Sequence, residues 1–397
     1  MSERVVVADK PTALSHVRVI DVTHFGAAPL CSRHLANLGA EVLKVEPVKG
    51  EPVRHLPPIR DGESYFFHFY NTDKKSLTVD LNQERGGELV RALAGEADVF
   101  LENYAVGAME RAGLGYERLR QLNPGLIYCS VSGFGQRGPY RAKRAYDTII
   151  QAMVGVMSLT GWPDGLPTKT GPSTADTNGA SFATIAVLAA LHYRERAGRG
   201  QYVDLSMFDA FSYLTQHHWP ETLLGVAAPS RQGNRDPDAM PGDVFQAQDR
   251  WVAIAAQDAV QRSALAGLVG RPDLALPPTT AEIDLLAGAV ADWVAGRTAA
   301  EAAAECALVG VSAGIVATVL EAIRAPQIVA REIVVERPHR RFGALETAGS
   351  PLRMSRTPGR VERPAPELGE HNSSVLRDLL GLDNAAVADL REKGIIG

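Results

Sequence analysis

The sequence VRVIDVTHFGAAPLCSRHLANLGAEVLKVE, at residues 17–46, contains three secondary-structure signals in a row. VRVIDVT is rich in β-branched residues and ends at a polar stop, which predicts a buried strand. After a loop of small residues at 24–29, residues 30–38 fit a helix closed by Gly39, and residues 40–46 fit a second strand. A strand, a helix and a strand within about 30 residues form a βαβ unit, so we predict an α/β fold.

The chain continues in the same alternating pattern. Residues 84–95 favour a helix. Ligands of α/β sheets bind at the carboxyl ends of the strands, so we expect Asn103 and the glycine-rich turn at 132–138 to lie at a binding edge. Three later segments are predicted as strands: SLTVDL at 76–81, ADVFLEN at 97–103 and LIYCSVSGFG at 126–135.

Composition excludes several classes of protein. The length of 397 residues favours two domains, and a net charge of -5 gives no basic footprint for a nucleic acid. Cys31, Cys129 and Cys306 are far apart and form no CxxC, so neither a disulfide framework nor a zinc site is indicated. The first 15 residues lack the apolar core of a signal peptide, and no uncharged run approaches the ~20 residues of a membrane span. We therefore expect a cytoplasmic protein without a nucleic-acid or membrane partner and without a bound metal.

The stretch TKTGPSTADTNGASFATIAVLAALHYRER, at 168–196, carries the main candidate for chemistry. Gly171 and Pro172 indicate a loop, and the Ala-rich run at 180–191 predicts a helix whose apolar residues do not keep to one face, so burial on most sides is expected. Asp176 stands where an N-cap residue belongs, and there the free N–H groups and the helix dipole would favour the ionised, nucleophilic carboxylate. A purely capping role is the alternative.

Several blocks together resemble one known family. VIDVTHFGAAPLCSRHLANLGAEVLKVEP, NTDKKSLTVDL, DVFLENY, NPGLIYCSVSGFGQRGPY and the Asp176 loop occur in the order of the class III CoA-transferases, which include formyl-CoA transferase, carnitine CoA-transferases and α-methylacyl-CoA racemase. The similarity continues through RERAGRGQYVDLSMFDA at 194–210 and ends in PELGEHNSSVLRDLLGL at 366–382, so it covers nearly the whole chain.

The resemblance implies an architecture of two domains. A Rossmann-like large domain would be built from both chain ends, 1–215 and 334–397, and a smaller α/β domain at 243–333 would be inserted after a linker at 216–242. Two such open, ring-like subunits would interlock as a homodimer.

The resemblance also implies a reaction. In the family's transferases the catalytic residue is an aspartate in a loop entering an apolar helix, which matches Asp176. CoA would pass from an acyl-CoA thioester to a free carboxylic acid through an aspartyl anhydride and an aspartyl-CoA thioester, with no cofactor beyond the CoA substrate. The implied contacts are Phe25 and Ala27 at the thioester end, Lys74 and Lys75 at the CoA phosphates or adenine, Asn103 and Tyr104 along the pantetheine, Arg111 at a phosphate, and Tyr146 and Asp147 near the nucleophile.

Two departures from the family narrow the function. Formyl-CoA transferase has a glutamine where Gly26 stands and a glycine-rich loop at 234–243, so an oxalate/formate enzyme is disfavoured and Gly26 predicts room for a larger acyl group. Family racemases have a histidine in a GHD motif where this chain reads AYD at 145–147, which leaves a racemase as the alternative. A non-catalytic acyl-CoA-binding subunit is the third hypothesis.

A small dicarboxylate such as succinate, mesaconate or itaconate is the predicted acid. The basis is a set of loop arginines, since a guanidinium can bind a second carboxylate through two parallel hydrogen bonds. Intramolecular transfer between two carboxyls of one substrate would use the same machinery. The candidate arginines are Arg54, Arg60, Arg231 and Arg235.

Overall fold

The computed structural model of the protein describes residues 12–226, 229–236, 238–239, 241–275 and 280–397. Some sequence-based predictions therefore lie outside the described residues. They concern the N-terminus at 1–11, positions 227, 228, 237 and 240 of the predicted linker and of the 234–243 segment, and positions 276–279 of the predicted small domain.

Strands and helices alternate along most of the described chain. The strands are β1 Arg18–Val22, β2 Glu41–Glu46, β3 Ile59–Arg60, β4 Glu63–Ser64, β5 Lys74–Thr78, β6 Val99–Glu102, β7 Ile127–Ser132, β8 Tyr202–Ser206, β9 Gly242–Gln246, β10 Trp251–Ala255, β11 Ser312–Ile315, β12 Val334–His339 and β13 Gly343–Ala348. The helices are α1 Ala27–Asn37, α2 Tyr65–Asn71, α3 Glu84–Gly95, α4 Ala108–Arg111, α5 Tyr116–Leu122, α6 Asp147–Met153, α7 Val156–Leu159, α8 Thr174–Ala197, α9 Met207–Ser212, α10 Trp219–Leu224, α11 Ala259–Leu268, α12 Thr280–Ala295, α13 Ala299–Leu308, α14 Val319–Arg324, α15 Pro326–Ala330, α16 Asn372–Leu380 and α17 Asn384–Glu392. Short 3-10 helices cover Pro52–His55, Tyr213–His218 and Pro272–Leu274.

A six-stranded sheet in the order β5-β2-β1-β6-β7-β8 is the centre of the fold. Every neighbouring pair in this sheet is parallel. Counted along the chain within the sheet, the order is 3-2-1-4-5-6, which is the Rossmann order. The predicted α/β, Rossmann-like fold is therefore confirmed. The strand order reverses between β1 and β6, which is where such sheets bind their ligands.

Apolar side chains cover the sheet and fix its strands. Ile20, Leu43 and Phe100 are fully buried and pack with Leu93 of α3 and Leu376 of α16 in one cluster. Helix α16 comes from the C-terminal part of the chain, so both chain ends build this layer. Helices α1 and α8 pack against each other, and α8 also contacts β7 and β8.

Helix α8 is longer and less buried than the sequence predicts. It spans 24 residues, and its buried positions recur every three or four residues from Ala175 to Leu191, which is one helix face. Ile185 on another face is 60% exposed. The expected burial on most sides is therefore wrong, because alanine fills both the packed and the open face and hides the periodicity.

The chain forms two compact units. One comprises Met1–Gly155, Thr170–His217 and Gln327–Gly397, and the other comprises Val156–Lys169 and His218–Pro326. The second unit contains an antiparallel sheet in the order β11-β10-β9, which packs with α11, α12 and α13 around an apolar core. The domain boundaries predicted from the sequence stay a prediction. Within the described residues, every helix is too short or too polar to cross a membrane.

Candidate active site

The N-terminus of α8 is capped by a residue from another helix. Asp176 occupies the third position of α8, and Ser173 is the N-cap residue without a side-chain capping bond. The backbone N–H groups of Ala175 and Asp176 donate to Oδ1 of Asp147 at 2.8 and 3.4 Å. The predicted capping position of Asp176 is therefore wrong, because Asp147 of α6 supplies the capping carboxylate. The carboxylate of Asp176 remains available for another role.

The carboxylate of Asp176 lies against the backbone of Gly26. A Cβ atom built on Gly26 would stand 2.7 Å from Oδ2 and 3.1 Å from Cγ of Asp176. Gly26 precedes α1 as its N-cap residue, so the carboxylate stands next to a helix start, where the first N–H groups have no intrahelical acceptor. The space freed by glycine is thus used by Asp176, and the predicted extra room for an acyl group does not arise at this point.

The surroundings of Asp176 oppose its charge. Burial, followed by the negative charge of Asp147, raises the pKa of Asp176 to about 6. Within the part of the chain that the structure describes, no ion pair involves this carboxylate. The helix end was expected to favour the ionised form, but desolvation and the like charge of Asp147 outweigh any such effect. The surroundings therefore destabilise the ionised form of this carboxylate.

The loop after β1 and the end of β6 meet at the point where the strand order reverses. The backbone N–H of His24 donates to Oδ1 of Asn103 at 3.0 Å, and Nδ2 of Asn103 donates to the carbonyl of His24 at 2.7 Å. The ring of His24 packs edge-on against Tyr104, with 4.8 Å between ring centroids. Asn103 therefore lies at the predicted edge, where its amide holds the loop, and its contact with pantetheine stays a prediction.

A cavity of about 480 Å³ opens at the carboxyl ends of β2, β5 and β6. Two of the predicted CoA contacts, Tyr104 and Arg111, both line it. The predicted phosphate-binding residue Arg111 contributes the cavity's arginine, and Met109 and Val79 contribute apolar surface. Such a mixture suits the pantetheine and nucleotide parts of CoA.

The two adjacent lysines of β5 have different surroundings. Lys74 is buried, and its Nζ donates to Asp21, to the carbonyl of Pro29 and to Asn71 at 2.8 to 2.9 Å. An ammonium group has three donors, so none is left for a phosphate and the predicted contact of Lys74 with CoA is not supported. Lys75 is half-buried and pairs with Glu41, and its phosphate contact stays a prediction.

The other predicted contacts are distributed around the start of α1 and α6. Phe25 is 38% exposed beside the loop, whereas Ala27 is buried in the first turn of α1. Ala27 therefore has little surface for a thioester. Tyr146 is 65% exposed at the N-cap of α6, immediately before Asp147. Asp147 lies close to Asp176, because its Oδ1 accepts the backbone N–H of Asp176.

The four candidate arginines already have partners within the chain. The guanidinium of Arg54 is bound to Glu46 at 2.6 Å and stacks over Phe67. Arg231 donates to three backbone carbonyls of the 162–165 loop. Arg60 pairs loosely with Asp61 and Arg235 pairs with Asp284, both at exposed positions. These contacts do not identify the arginine for a second carboxylate.

One cluster has the composition of a metal site. The Nε2 atoms of His68 and His339 lie 3.0 and 3.4 Å from Oε2 of Glu63. Nδ1 of His339, however, accepts the backbone N–H groups of Arg341 and Phe342. In the neutral ring the proton is then on Nε2, which donates to Glu63 and cannot bind a metal. The cluster is therefore a hydrogen-bonded anchor between α2 and the β12–β13 hairpin.

Tyr70 of α2 is a residue of this site that the sequence did not indicate. Burial raises the pKa of its phenol, and the negative charges of Asp176 and Asp147 raise it further. The phenol therefore lies within the electrostatic influence of both carboxylates. Its only signal was membership of the aromatic cluster SYFFHFY at 64–70, which also fits plain core packing.

The comparisons with known proteins agree with this geometry. The model of CoA-transferase family III matches residues 14–372. A succinyl-CoA–D-citramalate CoA-transferase of Chloroflexus aurantiacus is 37% identical over 97% of this chain and 98% of its own, and a succinyl-CoA:mesaconate CoA-transferase of Haloarcula hispanica is 38% identical over 92% and 96%. The crystal structure of a CAIB/BAIF family protein from Brucella suis superposes with a TM-score of 0.84 at 33% identity, over 93% of this chain and 99% of that one. With a fold of Rossmann order and a family match across nearly its whole length, the chain belongs to CoA-transferase family III and is an enzyme of that class.

Proposed function

We propose that this enzyme transfers CoA from an acyl-CoA thioester to a small dicarboxylic acid, with Asp176 as the nucleophile. The observation that carries the proposal is the placement of Asp176. Its carboxylate is desolvated, has no cationic partner among the described residues and lies against Gly26 at the start of α1. A structural carboxylate in such a position would be paired with a cation or saturated with hydrogen bonds.

The first half of the reaction loads CoA onto the enzyme. A carboxylate oxygen of Asp176 attacks the thioester carbonyl carbon, the C–S bond breaks, and CoA leaves as a thiolate while an aspartyl–acyl anhydride forms. The thiolate then attacks the aspartyl carbonyl carbon and breaks the anhydride C–O bond. The donor acid is released as its carboxylate, and CoA remains on Asp176 as a thioester.

The second half repeats these steps in reverse. The acceptor carboxylate attacks the aspartyl thioester, which gives a new anhydride and CoA thiolate. The thiolate attacks the acceptor's acyl carbon and releases Asp176 as a carboxylate. Each addition places negative charge on a carbonyl oxygen. The backbone N–H groups at the start of α1, next to Gly26, are the donors for this oxyanion.

The cavity lined by Tyr104 and Arg111 is the proposed site of the pantetheine and nucleotide parts of CoA. It lies at the carboxyl edge of the sheet, where α/β folds bind nucleotides. Arg111 would pair with a phosphate, and Lys75 would approach the nucleotide from the surface. No metal or redox cofactor takes part in the proposed steps, because the carboxylate and the thiolate alternate as nucleophile and leaving group.

The dicarboxylate is inferred from the two similar enzymes named above. Succinate, mesaconate and D-citramalate, the acids in their names, are all four- or five-carbon dicarboxylic acids. The proposed donor is therefore succinyl-CoA. Oxalate, acetate and propionate are the comparison acids: transfer to the larger dicarboxylates alone supports the proposal, and transfer to the monocarboxylates alone contradicts it.

We also propose that the enzyme works as a homodimer. Helix α8 exposes Ile185 and Tyr193, and the segment after α9 exposes Tyr213 and Leu214, each by about half or more. Large apolar side chains with this exposure are candidates for a contact between two subunits. Light scattering after size exclusion at several concentrations measures the mass, and a monomer at micromolar concentration contradicts the proposal.

The test of function is the Asp176→Asn variant, assayed with succinyl-CoA and isotope-labelled dicarboxylate. Asparagine keeps the shape of the residue and loses the nucleophile, so transfer should fall by a factor on the order of 10³ or more. Hydroxylamine added to the wild type during turnover should convert Asp176 to a hydroxamate, located by peptide mass. Full activity of the variant, with deamidation excluded by mass, would overturn the mechanism. Exchange of the α-proton without label transfer would instead identify a racemase, and neither reaction a binding subunit.

A further inference from the structure

The loop between β1 and α1 contains a residue with a backbone conformation that needs support. Phe25 has φ of 64°, in the left-handed region that non-glycine residues rarely adopt. Such a conformation is strained and persists only where surrounding contacts impose it. The next residue is Gly26, which lies against the carboxylate of Asp176. The conformation of Phe25 therefore sets where Gly26 stands relative to the proposed nucleophile.

The side chains of two buried charged residues form hydrogen bonds with the backbone of this loop. The backbone N–H of Phe25 donates to Oε2 of Glu51 at 3.0 Å. Oε1 of Glu51 is 2.9 Å from Nζ of Lys44, which also donates to the carbonyl of Thr23 at 2.9 Å. Both side chains are almost completely buried, with 0% and 1% exposed for Lys44 and Glu51. The ion pair of Lys44 and Glu51 thus hydrogen-bonds to the backbone on both sides of His24, at Thr23 and at Phe25.

Neighbouring carboxylates stabilise the positive charge of Lys44 in this pair. Burial alone would lower the pKa of Lys44, but the carboxylates of Glu51 and Asp21 outweigh it and raise the pKa to about 12. The carboxylate of Glu51 therefore always faces a cation, and its second oxygen remains free to accept the N–H of Phe25. Asn103 fixes the residue between them, since its amide bonds both backbone groups of His24.

We infer that Lys44 and Glu51 are positioning residues for CoA transfer: they impose the left-handed conformation of Phe25 and thereby hold Gly26 and the start of α1 against the carboxylate of Asp176. This inference rests on the proposed nucleophilic role of Asp176. It explains why an ion pair with no access to solvent or substrate lies beneath the loop. Small displacements of a reacting group reduce turnover strongly, by a factor on the order of 100 for 1 Å.

A matched pair of double variants tests the inference. Lys44→Met/Glu51→Leu removes both charges at similar volume, so no unpaired charge is buried, and it also removes the acceptor for Phe25. Lys44→Met/Glu51→Gln is equally neutral but retains an amide oxygen that can accept the N–H. We expect kcat for succinyl-CoA to fall roughly 10- to 100-fold in the first variant and to recover most of that loss in the second. The KM for the CoA ester should change less than threefold in both.

Glycine at position 25 supplies a second readout. Phe25→Gly removes the penalty for positive φ. The loss in kcat caused by Lys44→Met/Glu51→Leu is therefore measured in two backgrounds, with Phe25 and with Gly at position 25. We expect the loss to be at least fivefold smaller in the Phe25→Gly background. A loss of equal size in both backgrounds contradicts the inference, because the pair would then act by another route.

The control is a buried carboxylate of the same kind elsewhere in the unit. Asp73 has φ of 63° and accepts the N–H groups of Glu362 and Arg363 at 2.9 and 2.7 Å, away from the loop. Asp73→Leu should lower the thermal midpoint and leave kcat within twofold of the wild type. If the wild type transfers CoA and needs Asp176, yet Lys44→Met/Glu51→Leu retains full kcat, the inference fails alone. If the wild type transfers no CoA, the proposed function fails first.

Discussion

Two aspartates of the same unit, the buried Asp21 and the partly buried Asp176, have opposite surroundings. The carboxylate of Asp21 accepts hydrogen bonds from Lys74 at 2.9 Å, from Ser32 at 2.6 Å and from the backbone and hydroxyl of Thr23. Burial would raise the pKa of Asp21, but the charges of Lys74 and Lys44 outweigh it, and the pKa is lowered. In contrast, burial and the negative charge of Asp147 raise the pKa of Asp176.

Under the proposed mechanism, the difference separates a carboxylate that stabilises the fold from one that reacts. The carboxylate oxygens of Asp21 already accept hydrogen bonds from several protein donors, so this carboxylate is a poor nucleophile. An unpaired and desolvated one is destabilised as an anion, so it gains when it bonds to an electrophilic carbon. Under the proposed mechanism, fold stability and nucleophilicity thus come from two different acids of one unit, and removing each should have the opposite consequence.

The largest expected effect is on stability, in Asp21→Asn. The substitution leaves Lys74 buried without its anionic partner, which typically costs about 3–5 kcal/mol of unfolding free energy. Denaturant titration at pH 7 measures the change. Asp21→Asn/Lys74→Met, which removes both charges, should recover more than half of the loss. A single variant as stable as the wild type would show that the network contributes nothing net.

Asp176→Asn should increase stability above pH 6. The folded pKa of about 6 exceeds the ordinary aspartate value of 3.8, so the protonated form of Asp176 contributes stability that is present below pH 4 and is lost as pH rises through 6. The variant avoids this loss and should be more stable by roughly 1–3 kcal/mol at pH 8, with no gain near pH 3.5. Denaturation curves of both proteins at the two pH values give the difference. Equal stability at both would mean that the carboxylate is not destabilised.

Gly26→Ala should reduce turnover without unfolding the protein. The φ of Gly26 is -99°, which alanine adopts freely, but the new methyl would overlap Oδ2 of Asp176 and displace the carboxylate. We expect kcat to fall about tenfold, equivalent to about 1.4 kcal/mol. Gly95→Ala in α3, where a Cβ meets no atom within 4 Å, is the control. An unchanged kcat in Gly26→Ala would show that the close approach is not needed.

The smallest effect is a shift in the pH profile of Asp147→Asn. Because the proposed mechanism needs ionised Asp176, kcat/KM should fall tenfold per unit below pH 6 in the wild type. Asparagine still caps α8 and removes the like charge, so the acid limb should move to lower pH. The shift should be partial, because burial is the larger cause of the raised pKa. A limb that moves to higher pH would contradict the assigned charge repulsion.

Local sequence was sufficient to predict the strands and helices whose formation depends on neighbouring residues in the chain. The strand, helix and strand of residues 17–46 appear as predicted, and α1 ends before Gly39, whose φ of 101° suits only glycine. Helix α3 has the predicted bounds, Glu84–Gly95. The start of α1 was missed by three residues, because Ala27 to Pro29 have the composition of a loop and yet form a first turn in which proline is well tolerated.

The sequence alone determined the α/β class, through β-branched strands that alternate with helices, and the family, through motifs spread over the whole chain. It also selected Asp176 as the candidate nucleophile. Tertiary structure decided the surroundings: Asp147 and not Asp176 caps α8, and Lys74 is buried while its neighbour Lys75 is not. Successive strand residues point to opposite faces, but two adjacent lysines do not indicate which face is covered. The charge state of a carboxylate depends on desolvation and on groups far away in the chain, so only the folded contacts could set it.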